Sequence, residues 1–427
     1  MYDWANSAFA TTVMAGFFPI FFSSYWSANV AHVDTTARLG FANSIASLVV
    51  ALLAPFLGAI ADKGTAKKKF LFTFAFIGVV MTGGLFLVHK GEWQTAAFMY
   101  IMATIGFSGG NIFYDSLLPA VASEKKVDHV SSLGFAMGYI GGGLLFLVNV
   151  VMYLKPELFG IADGATAVRI AFLTVALWWA LFSIPLIMVV KEPHYGLRDA
   201  NIFRAVKAGW KQLYSTFSEI RHLKVVGTFL LAYWFYIDGV DTIIRMAVSI
   251  GTALNFPSAS LIVALLIVQF VAFGGSLLYS LLAKKIGVKE SLYIGIGAYS
   301  VITLIGFFMN QVWHFYALAV AVGLFQGGIQ AISRSLYARI IPVNKSAEFY
   351  GFFNLLGKFA AVIGPALMGM VSLLARNAGS MQIGSLELDN MGIRYGVLSI
   401  LLLFIIGGVL LSRVDIEEGK EQVKYLK

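Results

Sequence analysis

The sequence predicts an all-α polytopic membrane protein of twelve transmembrane helices in two six-helix halves, with both termini cytoplasmic. Three observations carry this. Of 427 residues, 59% are hydrophobic and 12% charged, whereas a soluble domain is nearer half apolar and a quarter charged. The apolar residues fall in blocks of about 19 to 26, the length a helix needs to cross a bilayer at ~1.5 Å per residue. Lysine and arginine are unevenly divided between alternate loops.

The blocks lie near 4–26, 39–61, 70–88, 95–118, 132–154, 169–190, 225–250, 259–283, 291–309, 313–333, 349–374 and 393–412. Most are rich in Gly, Ala, Phe and Leu, and small residues let helices approach closely in lipid. Short alternating segments, the mark of a β-barrel, are not seen. The first block begins almost at Met1 without a basic leader, so it reads as a retained helix rather than a cleaved signal.

With both termini inside, 23 of the 31 Lys and Arg fall on the cytoplasmic side and 7 on the other, Lys358 lying within a span. That asymmetry sets the orientation. It also explains the net charge of +9 as topology, without nucleic acid as a partner. There are no cysteines, which excludes disulfides and thiolate metal sites. The six histidines are scattered over loops and helix ends, so neither a metal nor another cofactor is expected.

The longest loop follows the sixth span and divides the chain. The expected domains are 1–190, a cytoplasmic linker at 191–224, 225–412 and a tail at 413–427. In the linker, Phe203, Val206, Trp210, Leu213, Phe217 and Ile220 recur at helical spacing beside Arg204, Lys207 and Lys211. This reads as a basic amphipathic helix on the inner membrane surface.

The halves repeat. Gly106-Phe-Ser-Gly-Gly110 matches Gly323-Leu-Phe-Gln-Gly-Gly328, and Gly134-Phe135 matches Gly351-Phe352. Parallel six-helix repeats are the architecture of major facilitator transporters, whose site lies between the halves. The stretch Gly58-Ala-Ile-Ala-Asp62-Lys63-Gly64 with Lys67, Lys68 and Lys69 resembles the loop signature of that superfamily, although Gly64 comes one residue early. Gly58 permits close helix approach, Asp62 can meet a helix N-terminus, and the lysines hold the loop at the headgroups.

A narrower resemblance covers nearly the whole chain. Tyr2-Asp-Trp-Ala-Asn-Ser-Ala8, Tyr236-Ile-Asp-Gly-Val240, Gln326-Gly-Gly-Ile-Gln330 with Ser333-Arg-Ser335, and Gly357-Lys358 with Gly364-Pro365 resemble the vacuole-effluxer (autophagy-related permease) branch, in its bacterial form. The resemblance implies a transporter, and its fungal members are associated with amino-acid export from the vacuole.

Polar residues inside apolar spans are costly and mark functional candidates. Asp238, Asp241 and Arg245, spaced i, i+3, i+7, share one face of the seventh span. Asp241 and Arg245 can pair. Asp238, near the midplane and without a partner four residues on, is the candidate for proton or solute binding; the alternative is a static hydrogen bond to Tyr233 or Tyr236. Gln326, Gln330 and Arg334 form a polar face on the tenth span, Asn111, Tyr114 and Asp115 on the fourth. Asn6, Thr11 and Thr12 join from the first span, Asn354 and Lys358 from the eleventh. Gly141-Gly142-Gly143 reads as a close-packing or hinge region.

The sequence therefore points to a secondary active transporter that moves a small polar solute, an amino acid or related metabolite, by alternating access with proton-coupled efflux. A phosphate-binding loop is missing, because Gly357-Lys358 lacks the upstream glycine. No catalytic constellation marks an enzyme. The expected partners are solute, protons and lipid, the expected state is a monomer, and the expected location is a bacterial inner membrane. Two alternatives stay open: an exporter of amphiphilic compounds or lipids, and a non-transporting scaffold or sensor.

Overall fold

A computed structural model describes residues 1–27, 67–190, 223–375, 377–383 and 386–424, with short stretches (38–39, 41–42, 45–50, 53, 57–58 and 61–62) of the region between. The expected linker helix, most of the second span, Lys63 and Gly64 lie outside the described residues, as does the Lys358 side chain.

The described residues are almost wholly helical. Helices α1 (Tyr2–Trp26), α2 (Lys67–Leu87), α3 (Trp93–Val121), α4 (Val127–Leu154) and α5 (Gly164–Val189) are long and apolar enough to cross a membrane. So are α7 (Ser258–Ile286), α8 (Val288–Phe307), α9 (Val312–Arg339) and α11 (Met391–Ser412). Two more, α6 (Lys224–Ala253) and α10 (Ser346–Leu374), have 30 and 29 residues, about 45 Å of helix each. Among the described residues nine apolar spans are present, each at a predicted block. An antiparallel hairpin, β1 (Met381–Ile383) and β2 (Leu386–Leu388), pairs Met381 with Leu388 in the connection before α11.

The chain forms two compact units: Met1–Ser123, Met137–Tyr214 and Val343–Leu355 in the first, Glu124–Ala136, Ser215–Pro342 and Leu356–Lys427 in the second. Helices α4 and α10 are thus each divided between units, a division the apolar blocks do not reveal.

In unit 1, α1 alternates α-type turns with wider π-type turns at Phe9–Phe17 and Phe22–Trp26. These flank Pro19, whose ring has no N–H to donate and crowds the carbonyl four residues back. Helix α2 packs on α3 through glycine: a Cβ at Gly106 would stand 2.5 Å from Gly78 N. Ala46 and Val50 of the second span pack against Ile105 and Ile112 of α3. Asp163 caps α5 by accepting from Thr166 N at 2.7 Å, and that bond holds its carboxyl below its ordinary range.

In unit 2, the second copy of the glycine repeat does the same work on another neighbour. A Cβ at Gly323 would come within 2.9 Å of Val271, and Gly328 lies against the Tyr279 ring, so α9 seats on α7. Helix α11 reaches α6 the same way: a Cβ at Gly407 would be 2.8 Å from Tyr236 N. Buried Arg394 fastens the start of α11 by donating to Phe307 O at 2.6 Å and Met309 O at 2.8 Å, which satisfies carbonyls that the end of α8 leaves open.

Candidate functional site

In unit 1 the polar residues of the first and fourth spans meet. Asp3 and Asn6 are three apart on α1, as are Asn111 and Tyr114 on α3, so each pair shares a face. Asn6 Nδ2 donates to Asn111 Oδ1, and Tyr114 OH donates to Asp3 Oδ2 at 2.6 Å. The Tyr2 ring lies 5.0 Å from that of Tyr114, and Asp115 is buried one residue on. Behind α1, α4 presents Gly138, Gly141 and Gly142. A Cβ at these positions would come within 2.6 Å of Ser7 Oγ, 2.7 Å of Trp4 and 2.8 Å of Thr11 Oγ1. The glycine cluster is therefore a close-packing surface, and it seats the helix that carries Asp3 and Asn6.

Unit 2 centres on Asp238, which is 1% exposed. Both carboxylate oxygens lie 2.9 Å from Gly364 N, which donates to them. Thr242, four residues on, donates its hydroxyl at 3.3 Å. The expectation that Asp238 lacks an i+4 partner is thus corrected: a threonine hydroxyl fills that place on the helix face, as short side chains one turn apart readily do. The alternative bond to Tyr236 is not formed either, since Tyr236 OH pairs with Ser333 Oγ at 2.7 Å. Gly364 precedes Pro365, which interrupts the backbone ladder of α10, and the Asp238 carboxylate sits where that ladder is weakest. Only glycine fits there, because a Cβ would overlap Thr242 Oγ1 and stand 2.6 Å from Asp238 Oδ1. Asp241 is half-buried and Arg245 exposed further along the same face.

The polar face of α9 is divided in its roles. Gln326 is buried, and its Oε1 has no hydrogen-bond partner among the described residues; Gln330 is half-buried. Arg334 is a clasp: its Nε donates to Ser131 Oγ at 2.9 Å, its Nη2 to Ser131 O at 2.9 Å, and its guanidinium stands 4.4 Å from the Phe135 ring. Asn354 donates to the carbonyl of Tyr350 on its own helix at 3.0 Å.

The loop motif gives a second buried carboxylate, this one paired. Asp62 lies 2.8 Å from Lys67 Nζ, both side chains 5% exposed. It also accepts from Ala347 N at 3.2 Å and Glu348 N at 2.9 Å, at the start of α10 within unit 1. A carboxylate is favoured there by the free N–H groups and the helix dipole. Burial pushes the Asp62 carboxyl up from its ordinary range, with Lys67 and the two backbone donors opposing it. Lys67 also donates to Ser346 Oγ at 2.7 Å, and Gly58 lies directly against Ala347.

Sequence reasoning identified Asp238, Asn6, Asn111, Tyr114, Arg334 and Asp62. It did not single out Asp3, Ser131, Thr242, Ser333 or Gly364 as their partners, although Asp3, Ser333 and Gly364 stand inside the motifs that carried the resemblance. Among the described residues, no three His, Cys, Asp or Glu stand together as metal ligands.

Residues 1–424 match the family described as "Vacuole effluxer Atg22 like". The chain is 37% identical over 423 residues to a Bacillus subtilis protein described as an uncharacterized MFS-type transporter, YxiO, covering 99% of this chain and 95% of that one. It is 25% identical over 450 residues to Autophagy-related protein 22 of Saccharomyces cerevisiae, covering 93% and 81%. In fold it is similar to the proton:xylose symporter XylE, with a TM-score of 0.68 at 14% identity over 100% of this chain and 96% of that one. The chain belongs to the Atg22-like vacuole effluxer family and is a multi-pass membrane transporter of the major facilitator fold.

Proposed function

We propose that this chain is a secondary active transporter that exports a small polar solute, an amino acid or related metabolite, by alternating access coupled to protons. The observation that carries the reading is Asp238: a carboxylate 1% exposed in an apolar helix, held by one backbone N–H and one hydroxyl. A carboxylate buried in such a place is expensive, and protonation relieves that cost, so the group suits a proton carrier. Asp241, Arg245 and Gln326 extend the polar lining on α6 and α9, and Asn6, Asn111, Tyr114 and Asp115 supply that of unit 1. In this reading Asp62, with Gly58, Lys63 and Gly64, gates the cytoplasmic end. Gln330, Arg334, Asn354, Lys358 and Tyr236 border the path. The family's description as effluxers supports the direction, and the bacterial relative supports placement in a bacterial inner membrane; twelve helices, cytoplasmic termini and a monomeric protein complete the reading. Thermal stabilisation of the purified protein against amino acids, peptides, sugars and lipids tests the solute class. Selective stabilisation by amino acids is expected; stabilisation by lipids or amphiphiles alone would overturn the reading.

A further inference from the structure

The C-terminal segment is built into unit 2 rather than trailing from it. Lys289 caps the end of α11 by donating to Ser412 O at 3.0 Å and Val414 O at 2.7 Å, and Val414 is fully buried. Asp415 then starts a short helix, α12 (Ile416–Lys424), by accepting from Glu417 N at 2.9 Å and Glu418 N at 3.2 Å. Gly419 allows this helix to touch the base of the bundle: a Cβ there would lie 2.9 Å from Ile340 and 3.0 Å from Val225.

From α12, charges run in a continuous chain to the first turns of α4. Lys420 Nζ stands 2.8 Å from Glu417 and 2.6 Å from Glu124. Glu124 lies 3.8 Å from Arg339 of α9, and Arg339 Nη2 is 2.6 Å from Asp128. One helical turn deeper, Arg334 holds Ser131. The acids beside Lys420 raise the affinity of its amine for a proton, so the link stays charged. The fastened segment, Glu124–Ala136, belongs to unit 2 although the rest of α4 belongs to unit 1.

We propose that α12 is a latch: Lys420, reaching from the tail to Glu124, holds the first turns of α4 on the end of α9 and sets how readily they let go. A tail merely packed for solubility needs no such reach to Glu124, whose side chain is 60% exposed and gains little from one surface pair. The stabilisation comes from linking several pairs in series onto a helix already anchored by Lys289 and Gly419, because a side chain held by one partner loses little further freedom in meeting the next.

The cysteine-free chain makes the test direct. Val127, 3% exposed in the first turn of α4, is replaced by cysteine in the full-length protein, and its reaction with a water-soluble maleimide is timed. Lys420→Ala should speed labelling about fivefold, Glu124→Ala should do the same, and the double variant should be no faster than the quicker single one. High salt should speed the parent and leave the double variant little changed. Unchanged labelling in Lys420→Ala, or single effects that multiply in the double variant, would overturn the latch. A monodisperse elution profile for each variant excludes misfolding as the cause of faster labelling.

Discussion

Replacing Gly364 by alanine sets two effects of opposite sign against each other. In an exposed helix, Gly→Ala stabilises by about 1 kcal/mol because glycine loses more freedom on folding. At Gly364 the added methyl would overlap Thr242 Oγ1 and lie 2.6 Å from Asp238 Oδ1. Overpacking of a filled interior costs about 1–3 kcal/mol. Pushing Asp238 off the Gly364 N–H forfeits a charge-assisted bond of about 1.5–3 kcal/mol. The contact terms exceed the propensity term, leaving a net loss of about 1.5–5 kcal/mol. At about 2–4 °C per kcal/mol for a domain of this size, the unfolding midpoint should fall by at least about 3 °C in detergent, followed by tryptophan fluorescence. Adding Thr242→Ala removes the nearest clashing atom and should recover part of the loss, so the two substitutions are not additive. A Gly364→Ala protein as stable as the parent, or more so, would refute the close approach of α6 and α10 at this point.

Two further predictions follow from the buried and capping carboxylates. Asp62→Ala leaves Lys67 buried with Ser346 as a partner and the Ala347 and Glu348 N–H groups without an acceptor, so it should cost about 3–5 kcal/mol; Asp62→Asn with Lys67→Met should cost clearly less, and thermal unfolding of both compares them. The Asp163 carboxyl is held below its ordinary range by the Thr166 N–H, so its contribution is present above the ordinary carboxylate pKa and lost as pH falls through the lowered one. Amide exchange at Thr166, corrected for its intrinsic pH dependence, should therefore accelerate across that acid window, and Asp163→Ala should abolish the dependence.

How much was legible in the sequence follows from what the solvent enforces. Lipid admits only helices and closed barrels, and a continuous apolar run of about 20 residues can be only the former, so apolar length located the nine spans found among the described residues. The glycine repeats announced close packing for a similar reason, since few other functions need bare backbone in mid-membrane. Their partners were not legible. Gly106 meets Gly78 of α2 while its counterpart Gly323 meets Val271 of α7, a choice made by three-dimensional packing. Asp238 was marked by its cost in an apolar run, yet its backbone partner lies 126 residues away at a glycine–proline pair. Asp62 was expected at a helix N-terminus and is found at one, because motif spacing and the helix dipole state the same requirement. The α12 charge chain escaped notice because tail lysines and glutamates look alike whether solvated or docked; only the proximity of Glu124, Arg339 and Lys420 separates the two.

The central claim is that Asp238 carries the proton that drives solute export. The most direct measurement places purified protein in liposomes that enclose a pH-sensitive dye and adds the solute that stabilises it best. The parent protein should move protons together with solute. Asp238→Asn, which keeps an acceptor for the Gly364 N–H but cannot exchange a proton at neutral pH, should still exchange labelled solute across the membrane while solute-dependent proton movement falls at least about tenfold. Proton movement undiminished in a folded Asp238→Asn protein would contradict the account.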